Sequence, residues 1–141
     1  MEDKKTIWIT GGSTGIGKAL ALKFASKGWN VAISARRENL LKEISDNNEN
    51  IFKFPLDVTS KSQCVQVFNE IQRKFESVDI CFFSTGTWNP KKEKDIDVEQ
   101  INDVFKVNFF GTLNCIKAVE EYFKKKEKGI ITIVSSIAGY R

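Results

Sequence analysis

The chain contains no histidine. That absence removes every His-based catalytic triad and every imidazole metal site at once. Cysteine is scarce: Cys64, Cys81 and Cys115 are an odd number with no Cys-x-x-Cys spacing, so they read as reduced thiols of a cytosolic protein, and no metal site is expected. No apolar run approaches the ~20 residues that a membrane helix needs, and no signal-peptide pattern precedes the first strand. A cytoplasmic protein without membrane contact is therefore expected. The net charge of +4 is modest. Its lysine clusters, Lys124-Lys125-Lys126 and Lys91-Lys92, are not interleaved with aromatics, so they read as solvated surface and no nucleic-acid partner is expected. There is no low-complexity tract, no linker and no internal repeat beyond alternating strands and helices. The 141 residues, 41% hydrophobic and 28% charged, form one domain, 1–141, with enough length for a real core.

What the chain does have is concentrated near its start. Thr6-Ile-Trp-Ile-Thr-Gly-Gly-Ser-Thr-Gly-Ile-Gly17 opens with a short apolar run, turns through glycines at 11, 12, 15 and 17, and feeds a helical pattern near Ile16. Strand, glycine turn and helix together present free backbone N–H groups at the positive end of a helix. Glycine permits the tight turn and lets the backbone approach a pyrophosphate closely. The competing reading is a glycine-rich turn that binds nothing. Its position at the head of a βα repeat favours the phosphate reading.

The rest of the chain repeats that unit. Residues 7–10 read as a first strand. Ile16, Leu20 and Phe24, with Ala21 and Ala25 beside them, predict an amphipathic helix ended by Gly28. Residues 30–34 predict a second strand, 38–46 a helix broken by Asn47 and Asn48, and 51–56 a third strand closed by Pro55 and Asp57. Ser60 is placed to cap a helix through Phe75, with Val65, Phe68 and Ile71 inward. Residues 80–83 predict a fourth strand, followed by a loop around Asn89 and Pro90. A single helix over 98–126, ended by Gly129, precedes a fifth strand at 130–134. Apolar strands alternating with helices argue an α/β domain with a parallel sheet covered on both faces, a doubly wound three-layer fold.

Three further places carry chemistry. The second strand ends Ser34-Ala35-Arg36-Arg37, with no acid in reach. In dinucleotide folds an acid there bonds the ribose hydroxyls, whereas arginine accommodates a 2′-phosphate. NADP is therefore expected over NAD. The competing reading leaves both arginines as solvated helix-start residues. In the helix over 98–126, Ile101, Val104, Phe105, Thr112, Ile116, Val119 and Phe123 project onto one inward stripe. Asn108 falls within it, so its amide needs a specific partner, whether as a core residue tying helix to sheet or as part of a site. Phe110 and Leu113 lie on the other side, as in a helix-paired dimer. Val134-Ser135-Ser136-Ile137-Ala138-Gly139 follows the fifth strand, beyond whose carboxyl end a parallel sheet places its ligand.

Taken together, Thr10-Gly11-x-x-x-Gly15-x-Gly17, Asp57-Val58, Asn108 with Gly111, and Ser135-Ser136 resemble the short-chain dehydrogenase/reductase family in order and spacing over essentially the whole chain. The resemblance implies a Rossmann-type sheet of five strands in the order 3-2-1-4-5. It implies an NADP-dependent oxidoreductase that moves a hydride between nicotinamide and a carbonyl or alcohol substrate, and works as a homo-oligomer. It assigns cofactor contacts to Gly11, Ser13, Thr14, Gly15, Ile16, Gly17, Arg36, Asp57, Val58, Thr85 and Gly86, and catalytic positions to Ser136 and Asn108. Two departures stand out. Phe83-Ser84-Thr85-Gly86 replaces the family's Asn-Asn-Ala-Gly after the fourth strand, and the Tyr-x-x-x-Lys pair expected about a dozen residues beyond Ser136 would fall after Arg141. Tyr122-Phe-Lys-Lys-Lys126 has that spacing but is a decoy. At 1.5 Å per residue it lies roughly 20 Å along the helix from Asn108. Two expectations follow: the cofactor-binding part of a longer oxidoreductase, or a non-catalytic NADP(H)-binding domain acting through a partner. A methyltransferase-like fold would want an acid where Arg36 stands.

Overall fold

A computed structural model describes residues 4–88 and 97–136. The expected loop at Asn89 and Pro90, and Ile137, Ala138, Gly139 and Tyr140, lie outside the described residues. The elements are β1 (Thr6–Thr10), α1 (Gly15–Ser26), β2 (Asn30–Ser34), α2 (Glu38–Asp46), β3 (Ile51–Lys53), α3 (Lys61–Phe75), β4 (Ile80–Phe83), α4 (Val98–Phe105), a π-helical segment Lys106–Gly111, α5 (Thr112–Lys126) and β5 (Ile130–Ile133). The strands form one parallel sheet in the order 3-2-1-4-5.

The side-chain alternation of β1 divides the two faces. Ile7 and Ile9, with Val31 and Ile33 of β2, pack against Ala21 and Ala25 of α1 and Leu41 and Ile44 of α2. Trp8, Ala32, Cys81 and Phe83 face the other way, against α3 and α5. Trp8 is completely buried. It stacks on Phe68 with ring centroids 5.6 Å apart, meets Phe83 edge-on, and donates its indole N–H to Ser34 Oγ at 3.0 Å. Burying a side chain of this kind contributes roughly 2–3 kcal/mol, and the hydrogen bond removes the penalty on its one polar atom. On β5, Ile130 and Ile133 are 56% and 50% exposed.

Several local expectations are met. Ser60 Oγ accepts from Gln63 N to start α3. Asn47 and Asn48 end α2 by donating their side-chain amides to Glu43 O and Ile44 O. Others are corrected. The third strand stops at Lys53, although Phe54 N and Leu56 N still reach Ile33 O and Ala35 O; Pro55 between them falls on the side facing away from β2, at the sheet edge, where its missing N–H costs no ladder bond. Cys64 and Val67, not Val65, turn inward with Phe68 and Ile71 on α3. The left-handed residue that ends α5 is Glu127 (φ +50°), not Gly129.

The largest difference is in the helix over 98–126. Within Lys106–Gly111 the hydrogen bonds slip to the wider π pattern, which adds a residue to the turn and rotates everything after it. A straight 100° projection therefore fails across it. Ile101 and Phe105, before the slip, are exposed, whereas beyond it Val119 is buried as expected with Cys115 beside it, and Ile116 and Phe123 pack partly buried against the core. Asn108 itself is exposed rather than buried.

Candidate functional site

The turn between β1 and α1 fixes one wall of a cleft at the carboxyl ends of the strands. Gly15 opens α1 with φ +54°, where a β-carbon would be strained but, among the described residues, would meet no atom beyond its chain neighbours within 4 Å. Gly17 has the opposite reason to be glycine. A β-carbon there would sit 2.3 Å from the Gly11 carbonyl oxygen, so the helix can lie against the turn only without one. Thr14 occupies the cap position but makes no capping hydrogen bond with its side chain. The first-turn N–H groups of α1 have no acceptor within the helix, and they carry its positive end toward the cleft. Ile16, which the resemblance assigns to the cofactor, is 63% exposed at the cleft wall.

The cleft encloses about 650 Å³. Gly11, Ser13, Thr14, Gly15, Ile16, Gly17, Arg36, Asp57, Val58, Thr85 and Gly86 all line it, so the structure brings together every position the sequence proposed for the cofactor. Arg36 stands at the end of β2 across from Asp57. The Asp57 carboxylate accepts from Thr59 N at 3.0 Å and Thr59 Oγ1 at 2.8 Å. These bonds, the backbone one foremost and with Arg36 adding its charge, hold its carboxyl below the usual carboxylate range. Val58 is buried and braced from behind. Its carbonyl accepts from Asn114 Nδ2 of α5 at 3.0 Å and from Cys64 Sγ of α3 at 3.6 Å. Gly111 lets the π segment close on the Val58 side chain, since a β-carbon there would lie 2.5 Å from Val58 Cγ2.

The departure after β4 has a structural answer. Ser84 Oγ donates to Thr10 O at 2.7 Å, tying the ends of β4 and β1 with a hydroxyl. The Thr85 hydroxyl oxygen is buried with no partner among the described residues and borders the cleft. Asn108 finds its partner one residue past Gly86. Its Oδ1 accepts from Thr87 N at 2.7 Å and its Nδ2 donates to Thr87 O at 2.9 Å, a two-point clamp between the π segment and the loop after β4. Its own carbonyl accepts from Thr112 Oγ1 at 2.8 Å.

A second cavity, about 870 Å³, adjoins the first through Ser84, Thr85, Gly86, Thr87 and Val134. Asn108 and Ser136 both line it, with Trp88, Val104, Phe105 and Phe109. Trp88, Phe109 and Thr87 were not singled out from the sequence, and Val104 and Phe105 were read only as part of the helix stripe. The π turn that aims Asn108 and Phe109 left no periodic signal there. Tyr122 is elsewhere: its hydroxyl accepts from Val78 N at 2.8 Å, and Lys126 bonds Ser77 Oγ, Val78 O and Asp79 at the amino-terminal end of β4.

A parallel sheet of order 3-2-1-4-5, with a glycine turn feeding a helix at its carboxyl edge, defines a Rossmann-type nucleotide-binding fold. The chain belongs to the short chain dehydrogenase family, whose family model matches residues 5–141. It is 30% identical to "Dehydrogenase/reductase SDR family protein 7-like" of Dictyostelium discoideum over 96% of this chain and 46% of that protein. It is 32% identical to an "Uncharacterized oxidoreductase" of Staphylococcus epidermidis over 97% of this chain and 60% of that one. Among solved structures, ElxO with NADP bound matches 98% of this chain and 58% of its own, at 31% identity and a TM-score of 0.88. The chain thus spans about half the length of the curated relatives it matches.

Proposed function

We propose that this chain is the cofactor-binding part of an NADP(H)-dependent oxidoreductase that interconverts a carbonyl and an alcohol. One observation carries the reading: eleven positions scattered from Gly11 to Gly86 converge on one cleft, with Arg36 where the adenosine ribose of a dinucleotide would rest. The fit is chemical as well as spatial. The uncapped first turn of α1 offers amides to a diphosphate. The open face of Gly15 leaves room for the diphosphate, and the partnerless Thr85 hydroxyl offers a hydrogen bond deeper in. A guanidinium suits a 2′-phosphate, which a carboxylate would repel. That ElxO has been solved with NADP bound supports the same choice.

When bound, the nicotinamide supplies or accepts the hydride. The chain's own residues position and polarise. Ser136 holds the substrate oxygen by hydrogen bond. Asn108 clamps the loop after β4 through Thr87, so that Thr85 and Gly86 keep a fixed floor for the cofactor. The Asn108 carbonyl has a second lone pair beyond the one that Thr112 uses, which is where a proton-relay water would attach. Tyr122 does no proton transfer, because its hydroxyl is held by Val78 at the far end of the sheet from the cleft. Exposed Phe105, Phe109, Phe110 and Leu113 support assembly of copies through α4, the π-helical segment and α5, and a cytoplasmic setting supplies the coenzyme.

Titration with NADPH and with NADH, followed by nucleotide fluorescence, tests the reading. NADPH should bind more tightly, and Arg36→Ala should erase about 10- to 100-fold of that preference, the equivalent of one charge-assisted hydrogen bond. Equal affinity of the unaltered chain for both nucleotides would contradict it.

A further inference from the structure

Cys64 of α3 and Cys115 of α5 are 51 residues apart in sequence, yet their sulfurs face one another at 3.9 Å. Both side chains are buried, and both belong to the core layer behind the cleft. Cys64 lies at the end of the first turn of α3, where the helix dipole favours a thiolate. The Cys115 S–H donated to Cys64 pulls the Cys64 thiol below its ordinary value and pushes Cys115 up correspondingly. Cys81, on β4, is buried and its thiol is pushed up by burial. The pair therefore has one sulfur suited to attack and a second positioned to resolve.

We infer that Cys64 and Cys115 form a modification site, a dithiol that hydrogen peroxide converts to an intramolecular disulfide and a thiol reductant reopens. The sulfurs need to close from 3.9 Å to an S–S bond of about 2 Å. The Cys64 thiolate attacks one peroxide oxygen and the O–O bond breaks. Cys64 becomes a sulfenic acid, and the departing hydroxide takes up the proton that Cys64 released, leaving as water. The Cys115 sulfur then attacks the Cys64 sulfur, the S–O bond breaks, the S–S bond forms, and the hydroxyl leaves with the Cys115 proton as a second water. Peroxide reaches the pair when the first turn of α3 opens locally. Closure withdraws the S–H that Cys64 donates to Val58 O, so the modification touches the wall of the cleft from behind. The site does not depend on which nucleotide the cleft takes.

The test is thiol mapping of the whole chain after hydrogen peroxide treatment, with alkylation of the remaining thiols under denaturing conditions and peptide mass analysis. The expected result is loss of two of the three thiols, the Cys64 and Cys115 peptides joined, Cys81 alkylated, and all three thiols restored by dithiothreitol. Cys81→Ala should leave the joined peptides unchanged, and Cys64→Ala should abolish them. The unaltered chain and Cys81→Ala decide the matter even if Cys64→Ala does not fold. Retention of all three thiols where free cysteine is fully oxidised would overturn the inference. So would a bond involving Cys81 or a second chain, or conversion of Cys64 to sulfinic acid with no joined peptide.

Discussion

Replacing Gly17 by alanine probes whether close contact between α1 and the turn builds the cleft. The added β-carbon would start 2.3 Å from the Gly11 carbonyl oxygen and 2.8 Å from its carbon. Both are backbone atoms, so no side-chain rotation relieves the contact. An unstrained C···O approach needs about 3.3 Å, so α1 must back away from the turn by about 1 Å. Overpacking of this kind costs about 1–3 kcal/mol, or a fall in Tm of about 4–12 °C for a domain of this size. The same shift moves the first-turn amides off a bound diphosphate, and NADPH should bind about tenfold more weakly or worse. Gly15 provides the contrast. It needs glycine for its positive φ and has open space around it, and asparagine tolerates that backbone better than alanine. Gly15→Asn should therefore recover most of the stability lost in Gly15→Ala, whereas Gly17→Asn should be worse than Gly17→Ala. Thermal melts and NADPH titrations of the four variants make the comparison. A Gly17→Ala protein that melts and binds like the unaltered chain would refute the close-contact reasoning.

Asn108→Ala removes both bonds to Thr87 and should speed hydrogen exchange of the Thr87 amide by about tenfold or more, at a stability cost of about 1 kcal/mol because the site is exposed. Tyr122→Phe should cost a similar amount by freeing Val78 N, yet leave NADPH affinity unchanged; a lost affinity would revive the decoy. Burial alone would raise the Asp79 carboxyl, but the Thr6 N–H at 2.9 Å and the Lys126 ammonium at 3.0 Å outweigh it and hold it below the ordinary carboxylate value. A carboxyl lowered in the folded state stabilises fully above its unfolded value near 3.9 and loses that stabilisation as pH falls through its folded value. Asp79→Ala should therefore cost about 1–2 kcal/mol in urea unfolding at neutral pH, and the gap should shrink as the pH falls below the unfolded value near 3.9.

The parts that were legible from sequence are those whose cause is local. Glycines between an apolar run and a helical pattern can form little else, and strands 30–34 and 80–83 were placed to the residue because each apolar run is bounded by turn residues. Strand order came from the family likeness rather than from any residue pattern. The π segment was not legible, since its slipped hydrogen bonds accompany contacts distant in sequence: Gly111 against Val58, and Asn108 on Thr87. For the same reason Asn108 was read as buried, although the sequence did show that its amide required a partner. Ser84 and Thr85 were recognisable as hydroxyls replacing amides, but only the sheet reveals that one ties β4 to β1 while the other is left over.

The most direct test is a crystal structure of this chain soaked with NADPH. The account predicts density for the diphosphate against the amides at the start of α1 and for the 2′-phosphate beside Arg36. A turn that stays empty, or that is filled by a neighbouring side chain while the nucleotide binds elsewhere, would contradict it.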